Sequence, residues 1–132
     1  MIRCGIDTIE IERLKCLNPA IRARFLIRVY TEAELSQACG RNDALSGLFT
    51  AKEAVAKALG TGIGLVKWQE IEILHLPSGE PEVHLHGNAA LVAIQKGLST
   101  WAVSISHDRS KAIAMAVASE SDPYTQHNQE LL

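Results

Sequence analysis

The sequence predicts an α+β fold, and three observations predict it. Apolar residues recur at helical spacing up to Leu59, and from Ile71 onward they alternate with polar ones in the two-residue period of strands. The helix before that change is rich in alanine, which implies close approach to a surrounding sheet. A length of 132 residues suits one domain and is too short for two.

Each element follows in order. Ile2, Cys4 and Ile6 alternate with Arg3, Gly5 and Asp7, predicting a first strand that ends at Asp7. Asp7 precedes Glu10 by three positions and is placed to cap a short helix through Ile11 and Leu14. Pro19 marks a break before a helix from Ile21 to Tyr30. Thr31-Glu32-Ala33-Glu34 is a capping box for the next helix, which Gly40 closes. Arg41-Asn42-Asp43 reads as a turn. The main helix then runs from Ala44 to Leu59, with Leu48, Ala51, Val55, Ala58 and Leu59 at helical spacing. Ile71 and Ile73 share one face of a strand, Pro77-Ser78-Gly79-Glu80 turns the chain, and Val83 and Leu85 complete an antiparallel hairpin. A helix over Asn88 to Lys96 ends at Gly97. Trp101, Val103 and Ile105 alternate with small residues in a strand ending at His107-Asp108. After a turn at Arg109-Ser110, Ala112 to Ala118 is apolar on both faces and reads as a central strand. The domain is expected to span residues 1–118, with 119–132 as a polar tail.

Composition narrows the function classes. With 47% hydrophobic and 21% charged residues the chain is globular, not disordered. A net charge of −2 exerts no global pull on nucleic acid, so none is expected as a partner. Basic residues do cluster locally, as Arg13, Lys15, Arg22, Arg24 and Arg28, in a region suited to an acidic partner. Cys4, Cys16 and Cys39 are odd in number and lack a CxxC spacing, which argues against a disulfide framework or zinc site and for a reducing cytosol. No apolar run approaches a membrane span, so the expected location is cytoplasmic, with no membrane partner.

The most informative run is Phe49-Thr50-Ala51-Lys52-Glu53-Ala54 through Lys57-Ala58-Leu59-Gly60-Thr61-Gly62-Ile63-Gly64. Glu53 and Lys57 lie four apart on one helical face, where a carboxylate can hold a metal and an ammonium a phosphate. Spacing alone also fits a plain intrahelical ion pair followed by a glycine cap. Asp7, Glu53 and Asp108 are carboxylates on separate elements, the kind of donor that magnesium takes one or two at a time beside substrate phosphates. His107, at a strand end, is placed to donate to a phosphate. Ser106-His107-Asp108 is not a hydrolase triad, since adjacent residues leaving a strand point in different directions. The glycines at 60, 62 and 64 follow a helix instead of preceding one, so neither a P-loop nor a dinucleotide fingerprint is present. They either end the helix or let backbone amides approach a substrate. His84 and His86 share a strand face without a third ligand nearby in sequence, and read as a solvated surface.

Gly5-Ile6-Asp7 with Glu10 and Arg13, the run from Phe49 to Gly64, and Trp101 through Ser104-Ile105-Ser106-His107-Asp108 together resemble the holo-acyl-carrier-protein synthases, the small single-unit type of 4′-phosphopantetheinyl transferase. The resemblance extends in order from Ile2 to Ala118. It implies transfer of the phosphopantetheine arm of coenzyme A to a serine of apo acyl carrier protein, leaving adenosine 3′,5′-bisphosphate. It also implies Asp7 and Glu53 as magnesium ligands, Lys57 beside the pyrophosphate, and Gly60, Thr61, Gly62, Ser106 and His107 at coenzyme A. Arg13, Arg24 and Arg28 match positions facing the acidic helix of the carrier. Glu53 is the first candidate for the base that takes the serine proton, and Asp108 the second. The implied architecture is a long helix embraced by a curved antiparallel sheet, in a trimer with active sites between subunits. One position departs: Leu48 stands where many relatives carry arginine, so His107, Arg41 or Lys111 is expected to compensate at the nucleotide phosphate. Two other readings are a non-catalytic carrier-protein or nucleotide-binding homologue and a magnesium-dependent phosphohydrolase acting on coenzyme A. The second has no need of the Arg13, Arg24 and Arg28 surface.

Overall fold

The computed structural model describes residues 1–121. Strand β1 (Ile2–Glu10) leads through the single-turn helix α1 (Glu12–Lys15) into α2 (Pro19–Val29) and α3 (Glu32–Ala38). The long helix α4 (Asn42–Leu59) follows, and a loop closing in a 3-10 turn at Trp68–Glu70 leads to the hairpin of β2 (Ile71–His75) and β3 (Pro81–Leu85). Helix α5 (Gly87–Gln95) precedes the antiparallel pair β4 (Thr100–His107) and β5 (Lys111–Ser119). The strands around α4 form two antiparallel sheets, one in the order β1-β5-β4 and the other the β2-β3 hairpin. Among the described residues no helix is long and apolar enough to cross a membrane.

Strand β5 is central, as its two apolar faces predict. Ala112, Ala114, Ala116 and Ala118 point into the core, where Ala51, Ala54, Val55 and Ala58 of α4 are also fully buried. Small side chains on both surfaces let helix and sheet approach closely. Gly5 takes this furthest: a Cβ there would run into the carbonyl oxygen of Ala54 and lie 2.9 Å from the nitrogen of Ala58. Glycine at this position therefore sets how near β1 comes to α4, and with it the reach of Asp7.

Several boundaries differ from expectation. Asp7 neither ends its strand nor caps a helix. The ladder with β5 continues from Asp7 opposite Ala114 to Glu10 opposite Lys111, and Ile11 stands at the start of α1 without a side-chain cap. Pro19 begins α2 instead of breaking the chain before it, because proline lacks an amide that the first turn cannot pair anyway. Asn18 caps that turn by accepting from the Ala20 amide at 2.9 Å. Helix α4 starts two residues early, at Asn42. Strand β5 runs through Ser119, one residue past the expected domain limit; residues 122–132 of the expected tail lie outside the described residues.

The capping box is present, and Glu34 does more than cap. Its Oε1 accepts from the Thr31 amide at 2.8 Å and lies 2.6 Å from Lys52 Nζ, while Oε2 accepts from the Ile73 amide at 2.9 Å. Lys52, wholly buried, also donates to the carbonyls of Trp68 at 3.0 Å and Ile71 at 2.6 Å. Three acceptors match the three protons of the ammonium. Removing either partner of such a buried pair costs about 3–5 kcal/mol. This network fixes α4 against α3 and β2 immediately beside Glu53.

Candidate active site

Thr50, Glu53 and Lys57 follow one stripe of α4, at spacings of three and four, and that stripe faces Asp7 on β1. Lys57 Nζ lies 3.1 Å from Asp7 Oδ1 and donates to the Ile6 carbonyl at 2.9 Å. The spacing that fits an ion pair within the helix thus gives way to one between helix and strand. Thr50 Oγ1 donates to Asp7 Oδ2 at 3.3 Å, so both oxygens of this carboxylate are held from α4. Glu53, half-buried, lies within hydrogen-bonding reach of Asp7.

Two carboxyl groups this close cannot both ionise freely. Burial pushes Glu53 up to about 7, the shared hydrogen bond and the negative charge of Asp7 add to the rise, and Lys57 and Arg13 partly oppose it. Burial also pushes Asp7 upward, but its hydrogen bond with Glu53, the Lys57 ammonium and the Thr50 hydroxyl together hold it below the ordinary carboxylate value. The surroundings thus favour a proton on Glu53 and leave Asp7 the more anionic member of the pair. A second, divalent charge at this position would replace that proton. The oxygen-only donor set suits magnesium, which needs one or two protein carboxylates and completes its shell with water and phosphate oxygens.

Asp7 and Glu53 open onto a cavity of about 380 Å³ that is further lined by Arg13, Ile21, Phe25 and Phe49. Phe49 stacks on Trp68 with ring centroids 4.8 Å apart and touches Phe25 at 5.6 Å, closing the far wall. Arg24 and Arg28 are exposed on α2, which also exposes Ile21 and Ile27. Arg22 is not part of that free surface, since it donates to Asn42 Oδ1 at 2.8 Å.

Other expected site residues stand elsewhere. Ser106 and His107 end β4 and are separated from β1 by β5. His107 lines a second cavity, of about 430 Å³, with Arg41, Asp43, Leu48, His75 and Ile105. Within one chain this cavity takes in Asp43, Ala44, Gly47 and Leu48 from the first turns of α4, and it shares no lining residue with the cavity at Asp7 and Glu53. Leu48 is buried beside it, and of the residues expected to compensate, Arg41 and His107 border it whereas Lys111 does not. Asp108 is engaged in the β4–β5 turn. Its Oδ1 accepts from the Lys111 and Ser110 amides, each at 2.8 Å, and from the Ser110 hydroxyl at 3.1 Å, and these bonds hold it below the ordinary range. A carboxylate so stabilised is a poor base, so the structure gives Asp108 a turn-capping part. The amides of Gly60, Thr61 and Gly62 all donate to the Ala56 carbonyl, so they finish α4 and do not point toward a ligand. His84 and His86 pair separately, with Glu82 at 2.8 Å and Glu72 at 3.2 Å. Sequence reasoning passed over Gly5 and Thr50. Thr50 carried a usable signal, its spacing of three and seven from Glu53 and Lys57; Gly5 carried none without the partner helix.

Comparison with known proteins shows the family and agrees with the fold. The family described as the 4′-phosphopantetheinyl transferase superfamily matches residues 3–118. A holo-[acyl-carrier-protein] synthase of Dehalococcoides mccartyi is 45% identical over 120 residues, covering 91% of this chain and 100% of that one. One from Natranaerobius thermophilus is 42% identical over 120 residues, covering 89% and 96%. The crystal structure of the Helicobacter pylori holo-[acyl-carrier-protein] synthase in complex with coenzyme A superimposes with a TM-score of 0.80 at 31% identity, covering 90% of this chain and 100% of that one.

Proposed function

The chain belongs to the 4′-phosphopantetheinyl transferase superfamily, and from that premise we propose that it transfers the 4′-phosphopantetheine group of coenzyme A to a serine of an apo acyl carrier protein, releasing adenosine 3′,5′-bisphosphate. The observation that carries this reading is the meeting of Asp7, Glu53 and Lys57 where β1 crosses α4. Magnesium held by Asp7 and Glu53 supplies charge neutralisation at the pyrophosphate when bound. The Lys57 side chain is 54% exposed, and with two of its three N–H bonds directed at Ile6 and Asp7 the third is open to charge developing on the leaving phosphate. Glu53, lining the same cavity as Asp7, takes the serine proton directly or through a water. The serine oxygen bonds to the phosphorus that carries pantetheine, and the bond from that phosphorus to the bridging oxygen breaks. Gly60, Thr61 and Gly62, at the end of the same helix, contact the coenzyme through groups other than the amides that close α4.

The active site is assembled between copies of the chain in a homotrimer. Ser106, His107 and Arg41 of one copy face the nucleotide end of a coenzyme A whose pyrophosphate lies at Asp7, Glu53 and Lys57 of another. Two features support this arrangement. Within one chain the His107 cavity and the cavity at the carboxylate pair share no lining residue, and the outer face of the three-stranded sheet exposes Ile2 (76%), Ile6 (57%), Ile113 and Met115, an apolar surface suited to burial against neighbours. Arg13, Arg24 and Arg28 dock the acidic helix of the carrier. That exposed basic surface favours protein recognition over hydrolysis of a small molecule, and the intact contact of Asp7 with Lys57 argues against a non-catalytic homologue. The setting that fits is a reducing cytosol, since all three cysteines are free.

The test is the intact mass of an apo acyl carrier protein after incubation with coenzyme A. The expected result is a gain of one phosphopantetheinyl unit with magnesium and none with chelator. An unmodified carrier, with coenzyme A hydrolysed instead, would favour the phosphohydrolase.

A further inference from the structure

We propose that Thr50 is a positioning residue that sets the orientation of the Asp7 carboxylate, and thereby the affinity of the Asp7–Glu53 pair for a divalent cation. This inference rests on the reading of Asp7 and Glu53 as metal ligands. Thr50 is wholly buried in the middle of α4, where the neighbouring core positions are Ala51, Ala54 and Val55. A β-branched residue is a poor choice for a helix interior, and a buried hydroxyl costs free energy unless it is paired. Thr50 finds its partner outside the helix, on Asp7 Oδ2 at 3.3 Å.

Only two α4 side chains hydrogen-bond to Asp7 by donating, and they differ in kind. Lys57 reaches Oδ1 along a flexible, exposed side chain and is called on to turn toward phosphate. Thr50 reaches Oδ2 along a short side chain with a single torsion between backbone and hydroxyl oxygen, inside the core. When Lys57 moves, Thr50 is the contact that keeps the carboxylate plane from rotating about its bond to β1. Thr50 touches the ligand from outside, and partners of that sort commonly change metal affinity by about 10–100-fold. The buried hydroxyl of Ser46, one turn earlier on the same helix, has no partner among the described residues and makes an internal control.

Binding of Mn2+ to the coenzyme-free protein, measured by titration calorimetry, tests this without reference to turnover. Thr50→Val keeps the shape and removes the donor, Thr50→Ser keeps the donor, and Thr50→Ala serves if the valine variant does not fold. The expected result is about tenfold or greater loss of Mn2+ affinity in Thr50→Val, affinity within about threefold of wild type in Thr50→Ser, and no change in Ser46→Ala. In transfer assays Thr50→Val should raise the magnesium needed for half-maximal rate by a similar factor while the rate at saturating magnesium stays within about twofold. Wild-type Mn2+ affinity in both Thr50→Val and Thr50→Ala, with affinity lost in Asp7→Ala, overturns the role of Thr50 and leaves the metal assignment standing. Unchanged affinity in Asp7→Ala overturns both.

Discussion

Glu53 shows how one residue's surroundings set its chemistry. On an open helix face it would be an ordinary carboxylate; half-buried against Asp7, it is pushed up to about 7. The folded protein therefore binds a proton more tightly at Glu53 than the unfolded chain does. Between pH 4.5 and about 7 the folded state holds more protons, so stability must fall as pH rises through that window. Asp7 shifts the other way, and its contribution is lost only on acidification through its lowered value, below 3.8 and outside the window. The expected outcome is that the thermal midpoint of the metal-free protein declines across this range relative to Glu53→Gln, which cannot titrate. Parallel pH profiles for the two proteins would show that Glu53 is not perturbed.

At the scale of elements, what was legible from sequence was what is local. The capping box at Thr31 and Glu34, the glycine end of α4 and the hairpin turn after His75 are each determined within a few residues, and each is present. The length of β1 was not legible, because its last three residues are held by β5 more than a hundred positions away. The same divide runs through the site. Glu53 and Lys57 announce themselves by spacing, whereas the partner of Lys57 lies 50 positions off on β1 and could be found only in three dimensions. Asp108 and the glycine amides show the same limit, since the bonds that hold Asp108 Oδ1 in the β4–β5 turn and the amides at the end of α4 appear only in three dimensions. Gly5 is the clearest case of a role invisible in one dimension. Gly5→Ala places a methyl group against backbone atoms of Ala54 and Ala58 that cannot step aside, and overpacking of this kind costs about 1–3 kcal/mol. A lower thermal midpoint and weaker metal binding are expected together, because β1 must retreat from α4 and carry Asp7 with it. Lowered stability with unaltered metal binding would mean that the strand's approach does not position the carboxylate.

At the scale of the whole molecule, charge and apolar surface divide the labour. A net charge of −2 hides local basic residues: Arg13 borders the cavity of the carboxylate pair, and Arg24 and Arg28 are exposed on α2, the helix that supplies Ile21 and Phe25 to its lining. Charges exposed in this way act mainly on encounter and are screened by salt. Arg24→Glu should therefore raise the KM for carrier protein, flatten its dependence on ionic strength and leave the KM for coenzyme A unchanged; movement of the coenzyme A constant alone would contradict the docking role. The exposed sheet face and the placement of His107 away from Glu53 lead to the central claim, that transfer occurs at a site shared by two copies of the chain. The most direct measurement is the mass of carrier protein treated with Glu53→Ala, with His107→Ala, and with the two co-refolded under conditions where subunit mixing is verified. The expected result is little or no transfer by either variant alone and recovered transfer by the mixture, because some interfaces then combine an intact Glu53 with an intact His107. A mixture no more active than its better parent, or a fully active His107→Ala protein, would contradict a shared site.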